Sequence, residues 1–403
     1  MSIIPHCYSG ENESYITVPA LKSFLKEVAP DEKLPSIRQD LVEMVEDYGI
    51  ISDENCERVH QWLDSVLREG ITELHIQSLD CDMLTNAGLL DGEIERRISI
   101  LIEQLKESHI CRRSYTGEFE LVACANNKDG EKVLSFCFSK IVYALSCNKT
   151  AYTLIYPVFL DLYVNSHRLI ARAKPKSTMY RYEGTNFSLE ESSPTNIDRE
   201  IEKAIDALKL HTGISFSVSK NDSSYKSQLY SLLMKYTFTP PEIQHFVNQS
   251  KEKIINVSSV IKNEICNLPD QYDADMLWDI NNLAEKYFSI SYRDKSVFTK
   301  GREAYPLKLQ ATDEEESKVE QTSGFEEPLQ SKAIFFDNKK MLQKSGICDG
   351  IIFCYIRRNS QYYGPNFKVA MLVKPRYFMV KFPGFTVEED IQHVLSAFYS
   401  AQE

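Results

Sequence analysis

A chain of 403 residues exceeds what a single core supports and implies two or three domains. Its 43% hydrophobic and 26% charged residues exclude a disordered, collagenous or coiled-coil chain, and a formal charge of −12 argues against a protein that coats nucleic acid nonspecifically. With only 15 glycines, no G-x-x-x-x-G-K-[ST] and no G-x-G-x-x-G, a standard nucleotide-loop enzyme is not expected. In chain order, residues 18–28 read as a helix behind the cap Thr17, with Leu21, Phe24, Leu25 and Val28 on one face. A second helix starts at Ser36, where Gln39 completes a capping box, and a third runs from Ser52 to the stop at Gly70. A fourth, over 92–108, carries the stripe Ile94, Ile98, Leu101, Ile102 and Leu105. Residues 109–113 and 118–122 alternate around a turn at 114–117 and predict a hairpin.

From Lys132 the period changes from helical to alternating. Strands are expected at 134–136, 141–145, 152–164 and 169–174, with a turn at Asn165, Ser166 and His167. Helices follow at 197–210, 224–236 and 241–266, then strands at 287–298 and 307–311. Residues 311–330, with Asp313, Glu314, Glu315 and Glu316, read as a solvated acidic loop. Strands at 333–336, 350–357, 367–373 and 377–382 and a helix at 387–399 complete the chain. The fold class is α+β. A helical N-terminal domain (1–80) and a small unit (81–125) precede a mixed-sheet domain with inserted helices (126–403).

The segments from Val18 to Leu25 and from Leu34 to Met44 (LPSIRQDLVEM) resemble the SAP motif, a helix-extension-helix module that binds DNA. The resemblance implies a phosphate at the second helix's N-terminus, beside Lys33, Ser36 and Arg38, where free amides and the helix dipole favour an anion. The usual glycine before that helix is absent, and the link 29–33 is longer and acidic. Residues 89–122 resemble a winged helix, which implies groove contact by Arg96 and Arg97 on the helix and by Arg112 and Arg113 on the wing. Winged helices also serve as protein-protein modules, and the glutamates interleaved with these arginines keep that reading open.

The clearest basic feature is the strand with Arg168, Arg172 and Lys174 on one face, continuing to Lys176 and Arg181 with tyrosines interleaved. Cations beside exposed rings suit phosphates and bases; a solvated face with snorkelling stems is the alternative. Arg357, Arg358, Tyr362, Tyr363, Lys368, Lys374, Arg376 and Tyr377 form a second such region. Asp337 with Lys339, or Asp349 with Lys368, are the nearest approach to a metal-dependent nuclease pair. Ten cysteines without a C-x-x-C predict reduced core residues, and His60, His109 and His245 read as core or boundary residues. No metal or cofactor is expected, and none of the standard hydrolase or metalloprotease motifs is present. No apolar run reaches the ~20 residues of a membrane span and residues 1–15 lack a signal-peptide pattern, so the expected location is cytoplasmic. The leading expectation is a non-catalytic protein that holds duplex DNA, with a protein partner, as a regulator or as a recognition subunit of antiviral defence. A protein-protein adaptor and a nuclease are the alternatives, and homo-oligomerisation stays open.

Overall fold

A computed structural model describes residues 3–10, 15–80, 92–106, 108–112, 114–127, 131–146, 149–176, 178–184, 187–190, 192–219, 222–312, 318–322, 327–359 and 363–402. The fold is α+β, and a helical N-terminal region precedes the sheet. The strand ladders are antiparallel, which corrects the expected mixed sheet. The chain divides into two compact units, Met1–Asp222 with Asn359–Gly364 and Lys374–Gln392, and Ser223–Arg358 with Pro365–Val373 and His393–Glu403.

In the first unit, α1 (Val18–Val28) starts where Thr17 accepts the Ala20 amide at 3.3 Å, and it buries Leu21, Phe24 and Leu25. α2 (Arg38–Ile50) begins two residues later than expected and has no side-chain cap. Gln39 gives its amide to Glu43 (3.2 Å) instead of closing a capping box. α3 (Asp53–Val66) is capped by Ser52 and leads through Gly70, at φ +91°, into β1 (Thr72–Ser78). α4 (Gly92–Gln104) follows, with Ile94 and Ile98 buried.

The hairpin expected over 109–122 is not formed. Ile110–Arg112 is a 3-10 turn, and β2 (Glu120–Asn127) pairs with β3 (Val133–Leu145) instead. Side chains fix the turn: the Tyr115 hydroxyl donates to the Ile110 carbonyl at 2.9 Å, and His109 is bonded to Asp64. The remaining strands of this unit are β4 (Ala151–Tyr163), β5 (Arg168–Ala173), β6 (Met179–Arg181), β7 (Pro194–Thr195) and, late in the chain, β12 (Phe378–Phe382). Their order is β7-β6-β3-β4-β5-β1-β12. β5 therefore lies inside the sheet, with Phe159 and Leu74 flanking Arg172. The N-terminal helices lie over the face that carries Arg172, where Tyr8 donates to the Ile155 carbonyl and the Arg68 guanidinium sits on the Phe159 ring. α5 (Ile197–Thr212), capped by Asn196 and ended by Gly213 at φ +75°, covers the other face.

In the second unit, β11 (Asn366–Val373), β10 (Gly350–Ile356), β8 (Ala304–Thr312) and β9 (Lys318–Thr322) lie in that order. β9 falls inside the expected acidic loop, whose residues 313–317 and 323–326 lie outside the described residues. Before the strands come α6 (Asp222–Tyr236), α7 (Pro241–Gln249) and α8 (Lys251–Val260), the last continuing into a π turn at Ile261–Ile265. The single long helix expected over 241–266 is thus broken at Ser250. The strand expected at 287–298 is the end of α9 (Asp273–Ser291) and a 3-10 turn at Lys295–Phe298. Its apolar residues Phe288, Tyr292, Val297 and Phe298 pack with Ile243, Val247 and Ile254 in a separate helical core. Residues 333–336 open α10 (Ala333–Ser345) rather than a strand, burying Phe335 and Phe336. Burial pushes the Cys137 and Cys348 thiols up to about 12, so both act as small apolar core groups.

Candidate functional site

Arg168, Arg172 and Lys174 share one sheet face, as alternation requires, but that face is not open. Arg172 is 2% exposed; its guanidinium forks onto Glu388, with the second contact at 3.2 Å, and donates to the Arg68 carbonyl. Lys174 is 5% exposed and donates to the carbonyls of Glu69 (2.6 Å) and Tyr15 (3.3 Å). Lys176 lies over the Tyr15 ring, and Arg168 over Tyr163 with Glu131 at 4.0 Å. The expected solvent-facing cationic strand is thereby corrected. Arg172 is paired with an acid and Lys174 is hydrogen-bonded to carbonyls, all from distant segments, and alternation alone carries no sign of them.

Of the other expected contact residues, Arg38 is held by the carbonyls of Ile16 and Tyr8 (2.9 Å to the latter), so its guanidinium fixes the N-terminal segment. Lys33, Arg96, Arg97 and Arg181 are exposed. Arg97 lies close to Gly213, its guanidinium 2.8 Å from where a Cβ there would stand. Arg112 stands in the 3-10 turn rather than a wing strand, and Arg113 lies outside the described residues. In the second basic region Arg357 is buried, Arg358 pairs with Glu303, Arg376 pairs with Glu202, and Tyr362 lies outside the described residues. Asp337 and Lys339 stand on α10, not on a strand, paired with Lys286 and Glu285, and Asp349 pairs with Lys226 at 2.8 Å.

Sequence reasoning missed the surface of α9. Met276, Ile280, Leu283, Tyr287 and Ile290 recur at spacings of four, three, four and three, which places them on one side of the helix. Ile280 packs inward against the small helical core. Leu283, Tyr287 and Ile290 are 47%, 61% and 37% exposed, and Val257 and Val260 on α8 are exposed as well. Asp273, Asp275 and Asp279 occupy the N-terminal half of α9, while Lys286 and, just past its end, Arg293 stand at the other. A soluble helix ordinarily turns such a stripe toward a core.

Two polar clusters also went unread. On β1, the His75 ring stacks on Tyr377 at 3.9 Å, and its Nε2 lies 3.0 Å from Glu73 and 3.6 Å from Asp198. Lys381 approaches Glu73 at 3.1 Å; against the upward push of burial, His75 and Lys381 hold the Glu73 carboxyl below its usual value. On α3, Glu57, His60 and Asp64 meet His109, which enters from the turn after α4. The ordinary signal for this group is E-x-x-H-x-x-x-D over 57–64, one helix face.

No protein-family model matches the chain, and no curated protein matches its sequence. Among the described residues no helix is long and apolar enough to cross a membrane.

Proposed function

We propose that the protein is an interaction subunit that assembles with a second copy of itself through α9. The observation that carries this reading is the exposed run of Leu283, Tyr287 and Ile290, whose four-three spacing fits knobs of one helix into holes of another. Antiparallel pairing is favoured, because it opposes the two helix dipoles, while Asp273, Asp275, Asp279 and Lys286 keep their ion pairs within the chain. Leu283 and Tyr287 are already about half buried, so covering the rest is worth on the order of 1 kcal/mol each, and several such residues offset part of the cost of association. Light scattering on the full chain is expected to give the mass of two chains, and Leu283→Glu with Tyr287→Glu the mass of one. A wild-type chain that stays monomeric at high concentration overturns the reading.

Duplex DNA binding is the second reading, favoured by one observation: Arg96 is exposed on α4, on the side away from buried Ile94 and Ile98, with exposed Arg97 on the flank beside Gly213. Its contact set is smaller than the sequence suggested, because Arg172 and Lys174 are buried. Charge reversal at Arg96 and Arg97 is expected to abolish binding to labelled duplex and flatten its salt dependence. Reversal at Arg172 should instead unfold the first unit.

A further inference from the structure

We propose that Glu57, His60 and His109 form a zinc site, with Asp64 and Cys56 orienting the two imidazoles. Glu57, His60 and Asp64 stand three and four residues apart on α3, so they share one face. His109 is delivered to that face by the segment that follows α4. Both histidines are buried, and their rings stack with centroids 5.0 Å apart. Candidate ligand atoms of Glu57, His60 and His109 all lie within 4.8 Å of one another. A tetrahedral zinc, with bonds of about 2.0–2.2 Å, sets its ligand atoms roughly 3.4 Å apart, so small side-chain rotations close the site.

The surroundings distinguish this group from a mere acidic patch. His109 Nδ1 lies 3.0 Å from Asp64, the carboxylate–imidazole arrangement that fixes the tautomer and leaves Nε2 for a metal. That Nε2 lies 2.9 Å from Glu57, on the side where an ion would sit. His60 Nδ1 faces Cys56 Sγ at 4.0 Å, which assigns its Nε2 to the same ion. Two imidazoles and one carboxylate are a donor set that zinc accepts and that magnesium or calcium, which prefer oxygen, does not. Three protein ligands leave a fourth position for water. The ion would tie the 3-10 turn at Ile110–Arg112 to α3, in the stretch where the expected hairpin is missing. The Glu73–His75–Asp198 group is the natural contrast: it offers one imidazole, and Lys381 already supplies its cation.

The test uses the full-length protein, stripped with a chelator, dialysed and offered zinc. Metal analysis should find one zinc per chain in the wild type and in His75→Gln, and none in His60→Ala or His109→Ala. Competition with a chromophoric chelator should show Asp64→Asn binding about 10–100-fold more weakly. Cobalt in place of zinc should give the strong visible bands of a four-coordinate ion in the wild type and in His75→Gln, but not in His60→Ala or His109→Ala. A folded wild type that retains no zinc overturns the proposal, as does a histidine variant that keeps its ion. Should those variants fail to fold by circular dichroism, Glu57→Gln decides: its side chain is partly exposed, and unchanged zinc affinity there rules the site out.

Discussion

Replacing Lys140 with methionine is expected to cost the first unit about 3–5 kcal/mol, the usual consequence of stranding one member of a buried ion pair. Lys140, on β3, and Glu200, in the first turn of α5, are both fully buried and paired with each other. The Thr195 hydroxyl donates to Glu200, Lys203 stands at 3.5 Å, and the Lys140 ammonium lies 4.9 Å from the Phe119 ring centroid. Without Lys140, the carboxylate would keep only Thr195 and one half-exposed lysine. The expected drop is read as a lower midpoint in urea unfolding. A double variant, Lys140→Met with Glu200→Leu, should recover most of it, because the pair's Coulomb attraction is largely offset by desolvation.

The sign of the pH dependence sharpens this. Burial alone would raise the Glu200 carboxyl, but its bonds to Lys140 and Thr195 outweigh that and hold it below the usual range. A depressed folded value gives stability that is present above the unfolded carboxyl value and lost as pH falls through the folded one. The wild type should therefore lose stability on acidification from about pH 5 downward. In Lys140→Met the same carboxyl is raised by burial, so mild acid should stabilise the variant relative to neutral pH.

The helices at 18–28 and 53–66 were legible because a 3.6-residue apolar stripe and a cap reside within each segment. β1 was not, since Glu73, His75 and Gln77 make one of its faces polar, and only the covering of that face by α5 and Tyr377 makes a buried strand of it. Alternation correctly put Arg168, Arg172 and Lys174 on one side. It carried no information on Glu388, which lies 216 residues from Arg172 along the chain. The α3 cluster had half its signal in one helix turn, and the other half arrives with His109, 52 residues from Glu57. In each case the local pattern set the element, and a distant residue set its environment.

In the second unit, Arg302→Ala is expected to lower stability by at least about 3 kcal/mol, and Arg302→Lys to recover little of it. Arg302 is buried and donates to the carbonyls of Tyr236 (2.6 Å) and Phe238 (2.7 Å) and to the side chain of Gln330, while its guanidinium stacks on the Phe238 ring at 4.1 Å. Gln330 returns its amide to the Thr237 carbonyl at 2.6 Å. The cation thus sits at the C-terminal end of α6, where helix carbonyls lack intrahelical partners and the dipole favours positive charge. Burial pushes the Arg302 pKa down to about 10, so the group is still charged at neutral pH and the acceptors offset its desolvation. A planar fork reaches three oxygens at once and keeps one ring face for Phe238; a lysine ammonium reaches one or two and stacks poorly. Hydrogen exchange separates this from a general loss of packing. In Arg302→Lys, the amides of 237–239 and 329–331 should exchange faster while those of β10 keep their protection. Uniform loss of protection across the unit would show that Arg302 holds the whole unit and not this junction.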